Sequence, residues 1–134
     1  MALVVPNVGA VLALKNFLNH TAPQNQTLKL FKSNTTPGET DTAVTYTVAD
    51  FTGYSDASLT GTSWTVTEAD PASAAYAQQT FTSSAGSQNQ NVYGYYAVQA
   101  SSGILMFAER FTDGPYNIAN NGDAIKVTPT ITAD

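Results

Sequence analysis

Two apolar segments joined by a short turn constrain this chain more than any other feature. Val92 to Gln99 and Gly103 to Phe111 carry aromatic and aliphatic side chains on both faces of an alternating pattern. In the first, Val92, Tyr96 and Val98 fall on one side and Tyr93 and Tyr95 on the other. In the second, Ile104 and Met106 oppose Leu105, Phe107 and Phe111. The intervening Ala100-Ser101-Ser102-Gly103 has hairpin length and ends on glycine. A strand that is apolar on both faces must be covered on both. These segments are therefore expected to be central strands of a layered β fold.

The remaining pattern agrees. Leu28-Lys29-Leu30 alternates within a strand expected over 26–33, and Val44, Tyr46 and Val48 alternate with Thr45 and Thr47 as a half-buried strand. Phe51 and Tyr54 are expected to tuck a loop onto the core, and Trp64 and Val66 to share a face between threonines. Residues 74–82 read as one strand. Asn120-Asn121-Gly122-Asp123 is a turn, because Asn and Gly accept positive φ. After it Ile125, Val127 and Ile131 share a side, and Pro129 places that strand at an edge or a bulge. The expected architecture is mainly β: an antiparallel β-sandwich or jelly roll of seven or eight strands in one domain over 1–134.

One helix precedes the strands. Pro6 keeps Val5 out of the α region, so Met1 to Pro6 is an extended apolar arm. Asn7 is a candidate N-cap. From Val8, the positions Val11, Leu12, Leu14, Phe17 and Leu18 recur at helical spacing and give one apolar face over 8–19. Pro6, Asn7 and Lys15 break the pattern of a secretion signal, and no apolar run is long enough to span a membrane.

The inventory of reactive groups is sparse. The chain has 134 residues, no cysteine, one histidine, and only 11% charged residues, less than half the usual share. Lys15, Lys29, Lys32, Arg110 and Lys126 are scattered, and the net charge is −5, so a nucleic-acid partner is not expected. His20 stands beside the helix end with no nucleophile motif to serve. Glu109 and Arg110 point to opposite faces of one strand, where a cross-strand ion pair for each is the ordinary arrangement. Asn117, Asn120, Asn121 and Asp123 offer calcium-type oxygens, but their spacing is that of a hairpin turn and not of a calcium loop. No enzyme activity, metal or cofactor is expected. Tyr93, Tyr95 and Tyr96 leave open an aromatic platform for sugars, although packing accounts for them as well.

Several runs together are suggestive in a different way. They are Val4-Val5-Pro6-Asn7-Val8-Gly9, Asp50-Phe51-Thr52-Gly53-Tyr54, Trp64-Thr65-Val66, Tyr76-Ala77-Gln78-Gln79-Thr80-Phe81, Val92-Tyr93-Gly94-Tyr95-Tyr96, Ala108-Glu109-Arg110-Phe111 and Asn120-Asn121-Gly122-Asp123. With them the chain resembles a family of small virion proteins of tailed bacteriophages: capsid decoration (cement) proteins or minor head and tail proteins. The resemblance implies a non-catalytic structural protein on the capsid surface, a homotrimer partnered by a major capsid protein. A tail or head-fibre component and a carbohydrate-binding β-sandwich remain the alternatives. For the interface, the residues singled out are Leu3, Val4 and Val5 of the arm with Leu14 and Phe17 of the helix. The arm is expected to serve assembly more than folding.

Overall fold

The fold is taken from a computed structural model that describes residues 3–18 and 24–133, without the side chains of Asn16 and Phe17. His20 therefore lies outside the described residues, as does the Phe17 side chain. The described residues are mainly β, with one α-helix and several antiparallel sheets in a sandwich-like arrangement. The helix α1 covers Asn7–Leu18. Eleven strands follow among the described residues: β1 Gln26–Phe31, β2 Ala57–Leu59, β3 Thr65–Thr67, β4 Ala72–Ala75, β5 Gln79–Thr82, β6 Gln90–Val92, β7 Gly94–Gln99, β8 Leu105–Arg110, β9 Tyr116–Ile118, β10 Ala124–Val127 and β11 Thr130–Ala133.

The two-sided segments organise everything else. The largest sheet runs β2-β1-β7-β8, and every residue of β7 is buried. One face of this sheet presents Leu28, Leu30, Tyr95, Ala97 and Phe107 to the larger core, where Phe81, Val92, Ile118, Ile125 and Val127 meet them. The other face presents Phe31, Tyr96, Val98, Leu105 and Ala108 to a smaller core. There Tyr46 is the centrepiece, with ring centroids 4.9 Å from Phe31 and 5.0 Å from Tyr96.

Strict alternation fails at two places, each for a local reason. Ala97 pairs with Phe107 but Val98 pairs with Leu105, so Met106 is the extra residue of a bulge. The bulge turns Leu105 to the smaller core and Phe107 to the larger one, although alternation puts them on one side. Val92 and Tyr96 part company in the same way, because the ladder breaks at Tyr93 between β6 and β7. Strand β8 is an edge in the hydrogen-bonded order and not a central strand.

Other expectations are corrected by pairing. The 44–48 segment is not a strand: Ala43–Thr45 is a 3₁₀ turn, and only Val48 bridges to Phe31. Thr45 N–H donates to Thr42 O at 3.0 Å and Thr42 N–H donates to Thr45 Oγ1 at 3.1 Å, closing the turn and leaving Val44 outside. Residues 74–82 form two strands in different sheets, β4 with β3 and β11, and β5 with β10. The terminal segment likewise changes sheets at the buried Pro129, where the missing N–H ends one ladder before the next begins. Trp64 reaches the core edge-on to Phe107, whereas Val66 is exposed on β3. Neither Glu109 nor Arg110 takes a cross-strand ion pair among the described residues. Glu109 accepts the Tyr95 hydroxyl, while Arg110 donates to Asn34 Oδ1 at 2.7 Å and to Thr35 O at 3.1 Å and lies over the Tyr93 ring. Phe51 and Tyr54 do tuck onto the core.

The arm folds back onto its own domain. Val4 N–H donates to Ala108 O at 2.8 Å, and Ala108 N–H donates to Val4 O at 2.9 Å. The arm thus covers the free edge of β8, Leu3 packs on the larger core, and Pro6 is buried. These contacts give the arm a place in its own fold, where the sequence assigned it to assembly more than to folding. Deleting residues 2–5 is expected to cost about 2 kcal/mol, from two lost edge hydrogen bonds and the Leu3 contact, less the regained chain entropy. Urea unfolding of the truncated and full chains measures this; an unchanged midpoint would show that the arm contributes nothing to the fold.

Candidate functional site: an uncovered apolar face beside the helix

The helix reaches the sheet through its smallest residue. An ideal Cβ placed on Gly9 would lie 2.3 Å from the Met106 carbonyl oxygen, so the helix backbone lies directly against β8. Ala10 N–H donates to Pro6 O at 2.9 Å and Asn7 N–H to Glu39 O at 2.9 Å, which fix where the helix starts. Helix formation begins at Asn7, one position earlier than the N-cap reading gives.

This close approach uses the Gly9 side of the helix and leaves its bulky aliphatic side outward. Val8 is 38% exposed, Val11 51%, Leu14 57% and Leu18 64%. The spacing of Val11, Leu14 and Leu18 is one stripe at helical periodicity. The sequence reads that stripe as part of a single apolar face; the structure turns it away from β8. Beside the helix runs an open groove of about 540 Å³, whose lining includes Val8, Val11, Val44, Ser102, Ile104 and the buried Leu105. Val44 is 92% exposed at its rim, and Ile104 is 39% exposed on the hairpin. Stripe and groove share Val11 and leave aliphatic side chains of the helix, of Val44 and of Ile104 open to solvent.

The residues singled out from sequence are distributed unevenly over this face. Leu14 stands in the middle of the stripe. Leu3 and Val4 are held on β8, and Val5 is 40% exposed between them and the helix. Val8, Val11, Leu18, Val44 and Ile104 were not singled out. Val44 was hidden by its apparent strand alternation, and Ile104 by its place beside the two-sided hairpin.

Elsewhere polar groups are tied up locally. No buried side-chain nitrogen or oxygen among the described residues lacks a partner. Asp41 accepts the Tyr46 hydroxyl at 2.6 Å and the Gly38 N–H at 2.9 Å. The Tyr54 hydroxyl donates to Asp56 at 2.8 Å and accepts the Leu30 N–H at 3.1 Å, just beyond the start of β2, where its pairing with β1 stops. Asp123 accepts the N–H groups of Ala119 and Asn120 at 2.9 and 2.7 Å, and these bonds hold its carboxyl below the usual range. That carboxylate closes the Asn-Asn-Gly-Asp turn, where Gly122 has φ +90°. Asn117, in β9, donates to Asn89 and to Asn91 of the facing strand, away from the Asn-Asn-Gly-Asp turn. Among the described residues there is no group of three or more His, Cys, Asp or Glu able to share a metal ion, and no helix long and apolar enough to cross a membrane. Tyr95 and Tyr96 are buried and Tyr93 is partly buried, so the three do not form an open platform. In comparisons with known proteins, no family model, no curated protein and no solved structure matches this chain.

Proposed function

We propose that this chain is a structural protein of a tailed-phage virion, a decoration protein that seats on the assembled head and stabilises it, working as a homo-oligomer and most simply a trimer. The observation that carries the reading is the uncovered apolar face around α1, on a scaffold in which every buried side-chain nitrogen and oxygen among the described residues has a partner. Such a face suits docking, because the groove is lined by aliphatic side chains and neutral polar groups and holds no paired acid and base. The low charge of the whole chain supports close packing among neighbours, and the resemblance to small phage virion proteins supplies the setting.

The mechanism is linkage. A protein that binds the assembled lattice and not its separated subunits lowers the free energy of the lattice alone. At a free concentration of a hundred times Kd the gain is about 2.7 kcal/mol per site, and many sites on one shell add. Contacts that are modest singly become durable when an oligomer engages several at once.

Co-sedimentation with purified components tests it. The protein is expected to pellet with expanded empty heads and to raise their melting temperature, and not to bind unassembled capsid subunits. Pelleting with isolated tails instead would move it to the tail. Binding to neither, with affinity in a glycan screen, would replace this reading with the sugar-binding one.

A further inference from the structure

We infer that Asn121 is a site of spontaneous deamidation, and that the closed turn over 119–123 holds the reaction off until the turn opens. The inference lies outside the assembly reading and does not depend on it.

The chemistry follows from the residue types. Asn121-Gly122 is the only Asn-Gly pair in the sequence. Asparagine is thermolabile because the backbone nitrogen of the next residue can attack its side-chain carbonyl carbon. Glycine suits the attacking position, since it has no Cβ to crowd the nitrogen or to limit its backbone angles. The Gly122 nitrogen gives its proton to water and bonds to Asn121 Cγ. The bond from Cγ to the side-chain nitrogen then breaks, and ammonia leaves with a proton returned by water. The five-membered imide so formed takes up water and opens to aspartate or isoaspartate. In sum, asparagine and water become the acid and ammonia, with no oxidant, reductant or cofactor. Both residues are exposed, so water reaches them.

The fold ties up the attacking atom. Gly122 N–H donates to Ser83 O at 2.9 Å, and Ser83 is 1% exposed. Ser83 N–H donates in return to Asp123 O at 2.8 Å, which extends the β5–β10 ladder past the pair of Ala124 with Thr82. Ser83 is itself anchored, because its Oγ donates to Ala85 O at 2.9 Å and accepts the Gln88 side-chain amide at 2.6 Å. On the other flank of Asn121, the Asp123 carboxylate holds the N–H groups of Ala119 and Asn120, and Asp123 N–H donates to Asn120 O at 3.2 Å. Gly122 therefore cannot attack until these bonds let go, and a local opening of this kind costs less than unfolding the domain. An isoaspartyl product puts an extra methylene in the main chain, inside the ring that Asp123 N–H and Asn120 O close. The turn then cannot reclose on its original register, and the change is permanent.

Peptide mapping by mass spectrometry follows the reaction in the full chain, folded and in urea, in mildly alkaline buffer. In urea, Asn121 is expected to convert ahead of every other asparagine. In the folded chain it is expected to convert at least about 30-fold more slowly, equivalent to about 2 kcal/mol of turn closure. Asp123→Ala removes the acceptor of two N–H groups and is expected to make the folded chain convert about 10-fold faster, each rate being referred to the same chain in urea. Hydrogen exchange at the native Gly122 amide gives a second measure that needs no variant to fold. Its protection is expected to match the slowing of deamidation, because both require the bond to Ser83 to open. Another asparagine converting first in urea overturns the site. Equal rates in the folded and denatured chains, a folded Asp123→Ala variant that converts no faster, or an unprotected Gly122 amide overturns the gate.

Discussion

Replacing Gly9 by alanine is expected to detach the helix from the sheet, at a cost of about 3 kcal/mol or more. Two effects oppose each other here. Alanine is the better helix former by about 1 kcal/mol, so the isolated helix becomes more favourable. The new Cβ, however, would sit 2.3 Å from the Met106 carbonyl oxygen, 2.9 Å from its carbon and 3.0 Å from the Leu105 carbonyl oxygen. All three are backbone atoms of one strand or its first residue, and they cannot swing aside as a side-chain end does. The helix must retreat, and the groove beside it opens. The test pairs two readouts: thermal unfolding and self-association of Gly9→Ala. A lowered midpoint with lost association is the expected result. A variant that melts higher than the native chain would mean that propensity wins and the contact is soft.

The larger effect is expected from alkaline pH. Tyr46, Tyr95 and Tyr96 are buried and Tyr54 is largely covered, and burial is the first cause that pushes each phenol up. Tyr96 is pushed up to about 12, and the other three rise further. Carboxylate acceptors add to the shift at Tyr46, Tyr54 and Tyr95, where Asp41, Asp56 and Glu109 disfavour a second negative charge beside them. The sign follows from linkage. Folded phenols hold their protons more tightly than unfolded ones, so this stability is intact below pH 10, where neither state ionises. It is lost as pH rises from 10 towards the folded values, because only the unfolded chain gains by ionising. Each such tyrosine removes about 1.4 kcal/mol per pH unit in that window, and four together approach the whole stability of an ordinary domain within about two units. Circular dichroism from pH 8 to 12 is expected to be flat to pH 10 and to show cooperative unfolding above it. Native spectra persisting at pH 12 would mean that these phenols are hydrated and not buried.

Both outcomes depend on tertiary contacts, yet much of the framework was legible in the residues. The two-sided apolarity of Val92–Gln99 and Gly103–Phe111 was enough to demand a sheet covered on both faces, and the two cores that flank β7 meet that demand. Asn120-Asn121-Gly122-Asp123 declared its turn because positive φ is a property of the residues themselves. Pro129 marked an edge or a bulge because a missing N–H is a covalent fact, although not that the chain changes sheets there. These signals are local, and local chemistry fixes them wherever the segment sits.

What sequence left undecided depends on partners distant along the chain. A pattern with period two marks a strand, but not which strand lies beside it. Residues 74–82 therefore read as one strand while the structure divides them between two sheets. The bulge at Met106 follows from register against Ala97 and Val98, not from any property of Met106. Val44 looks half-buried by alternation, yet a turn closed by Thr42 and Thr45 holds it in solvent. Most consequential is the helix. Its aliphatic spacing announces an apolar face, and nothing in that spacing says whether the face meets the sheet or the outside. Gly9 decides it, because only a residue without a side chain lets the helix backbone rest on β8, and that close contact rotates Val11, Leu14 and Leu18 outward. The sequence by itself determined that this chain is a β fold with one apolar helix. Which side of that helix remains free for a partner was decided only by a backbone contact between residues nearly a hundred positions apart.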